Sequence, residues 1–189
     1  MENRIYSRTY RLLHWAIALT MLGLLTTILL RLGWMEKNHI ADIMDPYLRE
    51  QGVELSREQL IVLAKKIRKP MWDWHIYFGY VLTGLYMIRM VVPFFGEMKF
   101  SSPWASGLTQ RMRFQYGIYL VFYILVAASL TTGLFIEFGP KSMKDPMEAV
   151  HELSIYYLLG FIVLHFAGLL WAEWSHDKGI VSRILSRSK

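Results

Sequence analysis

The stretch HELSIYYLLGFIVLHFAGLLWAEW, residues 151–174, decides the fold. Between Leu153 and Ala172 it contains no Asp, Glu, Lys or Arg. As a helix it is long enough to cross the hydrocarbon core of a bilayer, which needs roughly 20 apolar residues. Two histidines, His151 and His165, interrupt the apolar side chains. The stretch therefore predicts a membrane-spanning helix with ionisable side chains, which are costly inside a membrane and usually functional.

Three further charge-free stretches precede this one and cover residues 12–30, 74–88 and 114–136. With their flanks, the four stretches predict spans over about 8–31, 70–93, 112–136 and 146–174, with an outer loop over about 33–69. The expected fold class is all-α: a single-domain, integral membrane four-helix bundle with a short amphipathic helix in the outer loop. The seven tryptophans lie near span ends, where they are expected to anchor the chain at the membrane interface.

The composition excludes several kinds of function. The chain has no cysteine, so disulfides, thiolate catalysis, iron–sulfur clusters and covalently attached c-type haem are excluded. The formal net charge is +6, but basic residues beside membrane spans are explained by topology, so nucleic acid is not expected as a partner. The first apolar stretch lacks a small-residue cleavage site, so we expect it to remain as a span.

Four spans place both termini on one side of the membrane. That side carries 11 basic and four acidic residues, whereas the opposite side carries ten basic and 11 acidic residues. Since the basic residues are almost evenly divided, the acidic residues separate the two sides. We therefore place the termini in the cytoplasm. The basic residues of the tails are Arg4, Arg8, Arg11, Lys178, Arg183, Arg187 and Lys189.

The outer loop contains signals for short helices. Asp45 and Pro46 indicate an N-cap followed by proline at the first helical position, with Gly52 as the stop. Ser56 and Gln59 fit a capping box that starts a second, amphipathic helix, which is predicted to lie on the membrane surface. Its apolar stripe consists of Leu60, Leu63, Ala64 and Ile67. A basic rim follows, made of Lys65, Lys66, Arg68 and Lys69, and it either solvates an exposed face or attracts an anion.

Four of the six histidines lie in or at the edges of predicted spans, namely His14, His75, His151 and His165. The other two, His39 and His176, lie in polar segments and are expected at the surface. A structural role explains any single histidine of the four as well as a functional one does. Four histidines together favour a function.

The spacing of two histidines predicts two cofactor levels. His151 and His165 are 14 residues apart, which is within about 40° of four whole turns and about 21 Å along a helix axis. One helix can therefore offer a ligand to each of two cofactors. Pro70 and the pair Asp145-Pro146 indicate the starts of the second and fourth spans, and a histidine follows each proline by five residues. His75 and His151 are therefore predicted to share the outer cofactor.

The remaining pair is His14 with His165 on the inner cofactor, because the first span begins from the opposite side. Haem fits two opposed histidines in an apolar bundle, whereas zinc or a di-metal centre requires three or four converging ligands. Arg89 lies 14 residues beyond His75 and is expected to pair with propionates of the inner haem. Weaker candidates for that role are Arg8, Arg11, Arg111 and Arg113. Six glycines can admit a flat macrocycle or close helix packing: Gly79, Gly84, Gly117, Gly133, Gly160 and Gly168.

The chain resembles the bacterial cytochrome b561 and nickel–iron hydrogenase b-type cytochrome family. The matching motifs are YRLLHW at 10–15, WDWHIYFGY at 72–80 and the stretch at 151–174, so the resemblance covers essentially the whole chain. It implies a four-helix cytochrome of the bacterial inner membrane with two haem b groups. The four span histidines are then the axial ligands, and electrons are exchanged with membrane quinone. The outer loop is longer than expected for a compact member, which indicates a docking site for a partner.

Three functions remain open at this stage. The first is an electron-transfer module between quinone and a periplasmic redox partner, including the cytochrome b subunit of a hydrogenase or dehydrogenase complex. The second is an enzyme similar to superoxide oxidase, with the basic rim and the lysines Lys141 and Lys144 attracting superoxide. The third is a haem-free transporter or scaffold. Whether the chain is itself an enzyme is therefore left open.

Overall fold

The computed structural model describes residues 7–175 and 178–185, and within these ranges its regular secondary structure is helical. The helices are α1 (Arg8–Leu32), α2 (Lys37–Glu50), α3 (Arg57–Ile67), α4 (Lys69–Val91), α5 (Gln110–Phe138), α6 (Lys144–Glu152), α7 (Ser154–Ser175) and α8 (Ile180–Leu185). Four segments, α1, α4, α5 and α6 with α7, are long and apolar enough to cross a membrane. The all-α fold class with four membrane spans is confirmed. Arg4, His176, Arg187 and Lys189 lie outside the described residues.

The spans begin and end close to their expected positions. Every end of α1, α4 and α5 lies within two residues of the expected boundary, and the same holds for the two ends of the fourth span. Long charge-free stretches determine these helices, because a backbone in hydrocarbon must satisfy its hydrogen bonds internally. Pro70 occupies the second position of α4, where its missing N–H costs nothing.

By their internal contacts the residues form two compact units, which we call the loop unit (Ala16–Tyr86) and the main unit (Met1–Trp15 with Met87–Lys189). The loop unit contains α2, α3 and most of α1 and α4. The main unit contains the start of α1, the end of α4 and α5 to α8. The assignment of the whole chain to one domain remains a prediction.

The outer loop forms a helical hairpin of α2 and α3. Glu36 caps α2 by accepting hydrogen bonds from the backbone N–H groups of Asn38 and His39 at 2.7 and 3.0 Å. The expected start at Asp45-Pro46 is therefore wrong, since Pro46 lies inside α2. The glutamate supplies a cap nine residues earlier, and the sequence pattern did not reveal it. The expected stop is confirmed by Gly52, which follows the end of α2 with φ of +76°.

Helix α3 begins where the capping box predicted. Ser56 Oγ accepts from the backbone N–H of Gln59, and Gln59 Oε1 accepts from that of Ser56. Its apolar stripe packs in part against α2, because Leu60 is 2 % exposed and Ala64 is fully buried. The amphipathic helix of the outer loop is therefore present, and its position on the membrane surface remains a prediction. An ion pair between Arg57 and Asp42 also joins the two helices.

In the main unit, the fourth span is divided at Leu153 into α6 and α7. The backbone N–H of Leu153 donates to the carbonyl of Val150 at 3.2 Å, and that of Tyr156 donates to the carbonyl of Leu153 at 3.1 Å. Such three-residue bonds tighten a helix locally and are common at functional hinges. The cap expected at Asp145 is not formed, since the helix begins after Met143 without a side-chain cap. The helix is therefore interrupted between His151 and His165, so their relative positions do not follow from one regular α-helix.

Candidate functional site

The main unit brings His14 of α1 and His165 of α7 together. Their ring centroids are 6.2 Å apart, and the two ring planes are tilted by 39°. Each imidazole also stacks on an aromatic ring. Phe161 lies 5.6 Å from His165 with nearly parallel planes, and Tyr10 lies 6.3 Å from His14 in the same manner. These aromatic neighbours restrict the rotation of both imidazoles.

His151 lies in a socket on α5, formed by Ser129, Thr132 and Gly133. Its Nδ1 is 3.0 Å from the carbonyl oxygen of Ser129 and 3.1 Å from Oγ1 of Thr132. The Thr132 hydroxyl donates to the carbonyl of Ala128 at 2.9 Å. Since a carbonyl oxygen can only accept, we assign the imidazole proton to Nδ1. The tautomer therefore presents Nε2 as the basic nitrogen for a metal.

Gly133 lets the His151 ring approach α5 closely. A Cβ atom at this position would lie 3.1 Å from Cε1 of His151, closer than most such contacts. For Gly79, Gly84, Gly117, Gly160 and Gly168, a Cβ would meet no described atom within 4 Å. Close helix packing therefore does not explain these five glycines in the part of the chain that the structure describes.

In the loop unit, His75 of α4 has a similar hydrogen bond. Its Nδ1 is 2.8 Å from Oγ1 of Thr27 on α1. The Thr27 hydroxyl donates to the carbonyl of Leu24 at 2.6 Å, so its oxygen accepts from the imidazole. The proton is again assigned to Nδ1, so Nε2 is again the basic nitrogen that is available to a metal. The edge of the Trp72 ring packs on this histidine at 5.2 Å, so Trp72 does more than anchor a span end.

Arg89 is a buried cation in the main unit, with an exposed fraction of 7 %. Its Nε donates to the hydroxyl of Tyr123 at 2.9 Å, and its guanidinium carbon lies 4.2 Å from the ring centroid of Phe100. Its Nη1 is buried without a hydrogen-bond partner among the described residues. A buried cation with an unsatisfied donor is costly, so this site fits an anionic group. Arg11 Nε is buried in the same way, unlike the exposed Arg8, Arg111 and Arg113.

The donor set fits haem better than a bare metal ion. Among the residues that the structure describes, no three His, Asp or Glu side chains are grouped to hold an ion. Sequence reasoning missed the hydroxyl partners Thr27 and Thr132, the Ser129 carbonyl and Tyr123. Their only sequence signal is a polar side chain within an apolar stretch, and such a signal does not tell which histidine or arginine it contacts.

Four spans, paired histidines without thiol ligands and a buried arginine define a multi-pass membrane protein of the b-type cytochrome class. The chain belongs to the prokaryotic cytochrome b561 family, whose family model matches residues 5–187. It is therefore a transmembrane electron-transfer protein with b-type haem. No curated protein and no solved structure matches the chain significantly.

Proposed function

We propose that this chain moves electrons across a bacterial cell membrane through two b haems, each held by two histidines. His14 and His165 are the ligands of the inner haem, and His75 and His151 are those of the outer haem. Bound haem iron supplies one-electron chemistry. Ligation by two histidines leaves no open position on the iron, which suits electron transfer more than oxygen binding.

The spacing of His14 and His165 carries this proposal. Metal–imidazole nitrogen bonds of about 2.0 Å place the ring centroids of two opposed ligands about 6 Å apart. The distance between the two centroids is 6.2 Å. The two side chains are thus spaced as a pair that shares one iron atom.

The pairing of His75 with His151 at the outer haem is supported by their tautomers and by their positions in the sequence. Both His75 and His151 donate through Nδ1 to a hydroxyl or carbonyl oxygen, the usual outer contact of a metal-bound histidine. Because the two residues lie in different compact units, their pairing rests on the matching offsets from Pro70 and Pro146. The test is the haem content of the purified protein. We expect two haems per chain and a Soret band that shifts on reduction, whereas fewer than two haems under haem-replete conditions would contradict the proposal.

Arg89 binds a propionate of the inner haem in this proposal. Its replacement by leucine is expected to weaken haem retention at the site of His14 and His165 by about tenfold to a hundredfold. The reason is that a hydrogen bond to a charged group contributes roughly 1.5–3 kcal/mol, and about 1.4 kcal/mol is tenfold in affinity. Haem transfer to apomyoglobin measures the loss. Arg113→Leu is the control, since Arg113 is exposed, and equal retention in the two variants would exclude this role for Arg89.

The partners follow from the family and from the charge distribution. We propose that membrane quinone exchanges electrons at the inner haem, that the termini are cytoplasmic, and that a periplasmic or membrane-bound redox subunit docks near the α2–α3 hairpin. Co-purification of a soluble subunit with the full chain would support a role as a hydrogenase or dehydrogenase cytochrome. A chain that isolates alone and is reduced by quinol would support an independent module.

A superoxide oxidase-like activity is the second candidate. It is favoured by exposed Lys65 and Lys66 and by Arg68, whose Nε is buried without a hydrogen-bond partner among the described residues. Two of the lysines expected to attract superoxide have carboxylate partners instead: Lys69 of the rim pairs with Asp73 at 2.7 Å, and Lys144 lies 3.9 Å from Glu148. Stopped-flow mixing with superoxide distinguishes the candidates. Fast reduction of one haem by superoxide, followed by oxidation by quinone, would establish the enzyme.

A further inference from the structure

One residue contacts both sides of the break in the fourth span. Ser129 of α5 accepts a hydrogen bond from His151 of α6 through its carbonyl oxygen, at 3.0 Å. Its hydroxyl lies 2.5 Å from Oγ of Ser154, the first residue of α7, and accepts from the Tyr157 hydroxyl at 2.8 Å. The carbonyl thus holds the end of α6, and the hydroxyl holds the start of α7.

This connection matters because regular α-helical hydrogen bonding is interrupted between His151 and α7. Leu153, where the span is divided, is exposed and lies between His151 and Ser154. The backbone of Leu153 keeps αR geometry, and contacts with another element add to it in setting the angle between α6 and α7. Ser129 supplies such contacts on α5, and Tyr157 adds a ring contact with Phe122 of the same helix at 6.0 Å.

The hydroxyl groups of this cluster require hydrogen-bond partners. Tyr157 and Ser129 lie among apolar residues of two membrane spans, where an unpaired hydroxyl costs free energy. In the structure each hydroxyl has a partner in the same cluster. A satisfied polar cluster of this kind restricts the side chains to one arrangement.

We propose that Ser129 and Tyr157 form a clamp across the break at Leu153, which positions the imidazole of His151 for the iron. They are positioning residues, since neither is a ligand, and the proposal rests on the haem ligation proposed above. The orientation of an axial imidazole and the strength of its Nδ1 hydrogen bond tune the haem to which it binds. Loosening the clamp should change the properties of one haem without removing it.

The test compares Tyr157→Phe with Tyr156→Phe in the haem-loaded full chain. Both variants lose one hydroxyl and keep the ring, but Tyr156 is 74 % exposed. For Tyr157→Phe we expect a threefold to tenfold change, where tenfold is about 59 mV for one electron, in the reduced-to-oxidised ratio of one haem at fixed potential. A shift of its low-spin electron paramagnetic resonance signal should accompany this change. The second haem and the Tyr156→Phe protein should match the unaltered protein.

Ser129→Ala provides a second measurement, because it removes the shared hydroxyl and leaves the carbonyl. It should shift the same haem in the same direction. Unchanged potential and resonance signal in Tyr157→Phe would overturn the clamp, as would equal changes at both haems. If His151→Ala fails to remove a haem, the proposed ligation fails instead. A protein that loses one haem in His151→Ala but is unaffected by Tyr157→Phe would retain the proposed function without the clamp.

Discussion

Replacement of His165 by alanine is expected to remove one of the two proposed haems and to leave the other spectroscopically intact. His14→Ala should remove the same haem, because the two imidazoles are spaced to share one iron atom. His75→Ala and His151→Ala should both affect the other haem. A b haem that is held by two histidines has two iron–protein bonds, and loss of one histidine removes one of them. We therefore expect this substitution to have the largest effect of any single one.

Reduced-minus-oxidised spectra and haem content of the four purified variants measure this result. His39→Ala is the matched control, since His39 is an exposed residue of the outer hairpin. The pairing is wrong if His14→Ala and His75→Ala affect the same component and spare the other. Retention of both haems in His165→Ala would show that this imidazole is not a ligand.

Replacement of Gly133 by leucine is expected to remove the haem that we propose His151 holds. A Cβ atom alone would lie 3.1 Å from Cε1 of the imidazole, and the rest of a leucine side chain requires the ring to move. The displaced ring would lose its hydrogen bond to the Ser129 carbonyl and its orientation toward iron. Gly133→Ala should have a smaller effect, because a shift of a few tenths of an ångström accommodates one methyl group.

Haem content and the potential of the remaining haem measure the effect of Gly133→Leu. Thr131→Leu is the control on the same helix, since Thr131 is exposed and leucine suits a surface in lipid. Comparable loss of haem in both variants would indicate general damage to α5. A normal haem content in Gly133→Leu would show that the socket does not constrain His151.

The sequence predicted the spans because their determinant is local. The charge-free stretches, taken with their flanks, predicted boundaries that lie within two residues of the helix ends. The start of α2 was missed because its cap is Glu36, whereas Ser, Thr, Asp and Asn are the usual N-cap residues. Pro46 was expected at the first helical position but lies inside the helix. The break at Leu153 was missed for a similar reason, since no proline or glycine marks it.

The histidines of the candidate site were visible in the sequence, but their supporting residues were not. An ionisable residue in an apolar stretch is conspicuous in a sequence. The contacts of His151 with Ser129 and Thr132 depend on how α5 and α6 pack, and no local pattern encodes that. Nη1 of Arg89 is buried without a hydrogen-bond partner among the described residues, and this likewise became apparent only from its position beside Phe100 and Tyr123.

The α2–α3 hairpin has a consequence for how the chain matures. Its stabilising contacts are short in sequence, since the Asp42–Arg57 ion pair joins residues 15 apart and the Ser56 cap is local. Elements held by such local contacts fold rapidly, because little chain entropy is lost in closing them. The hairpin can therefore acquire its structure early, before the slower association of the helices within the lipid.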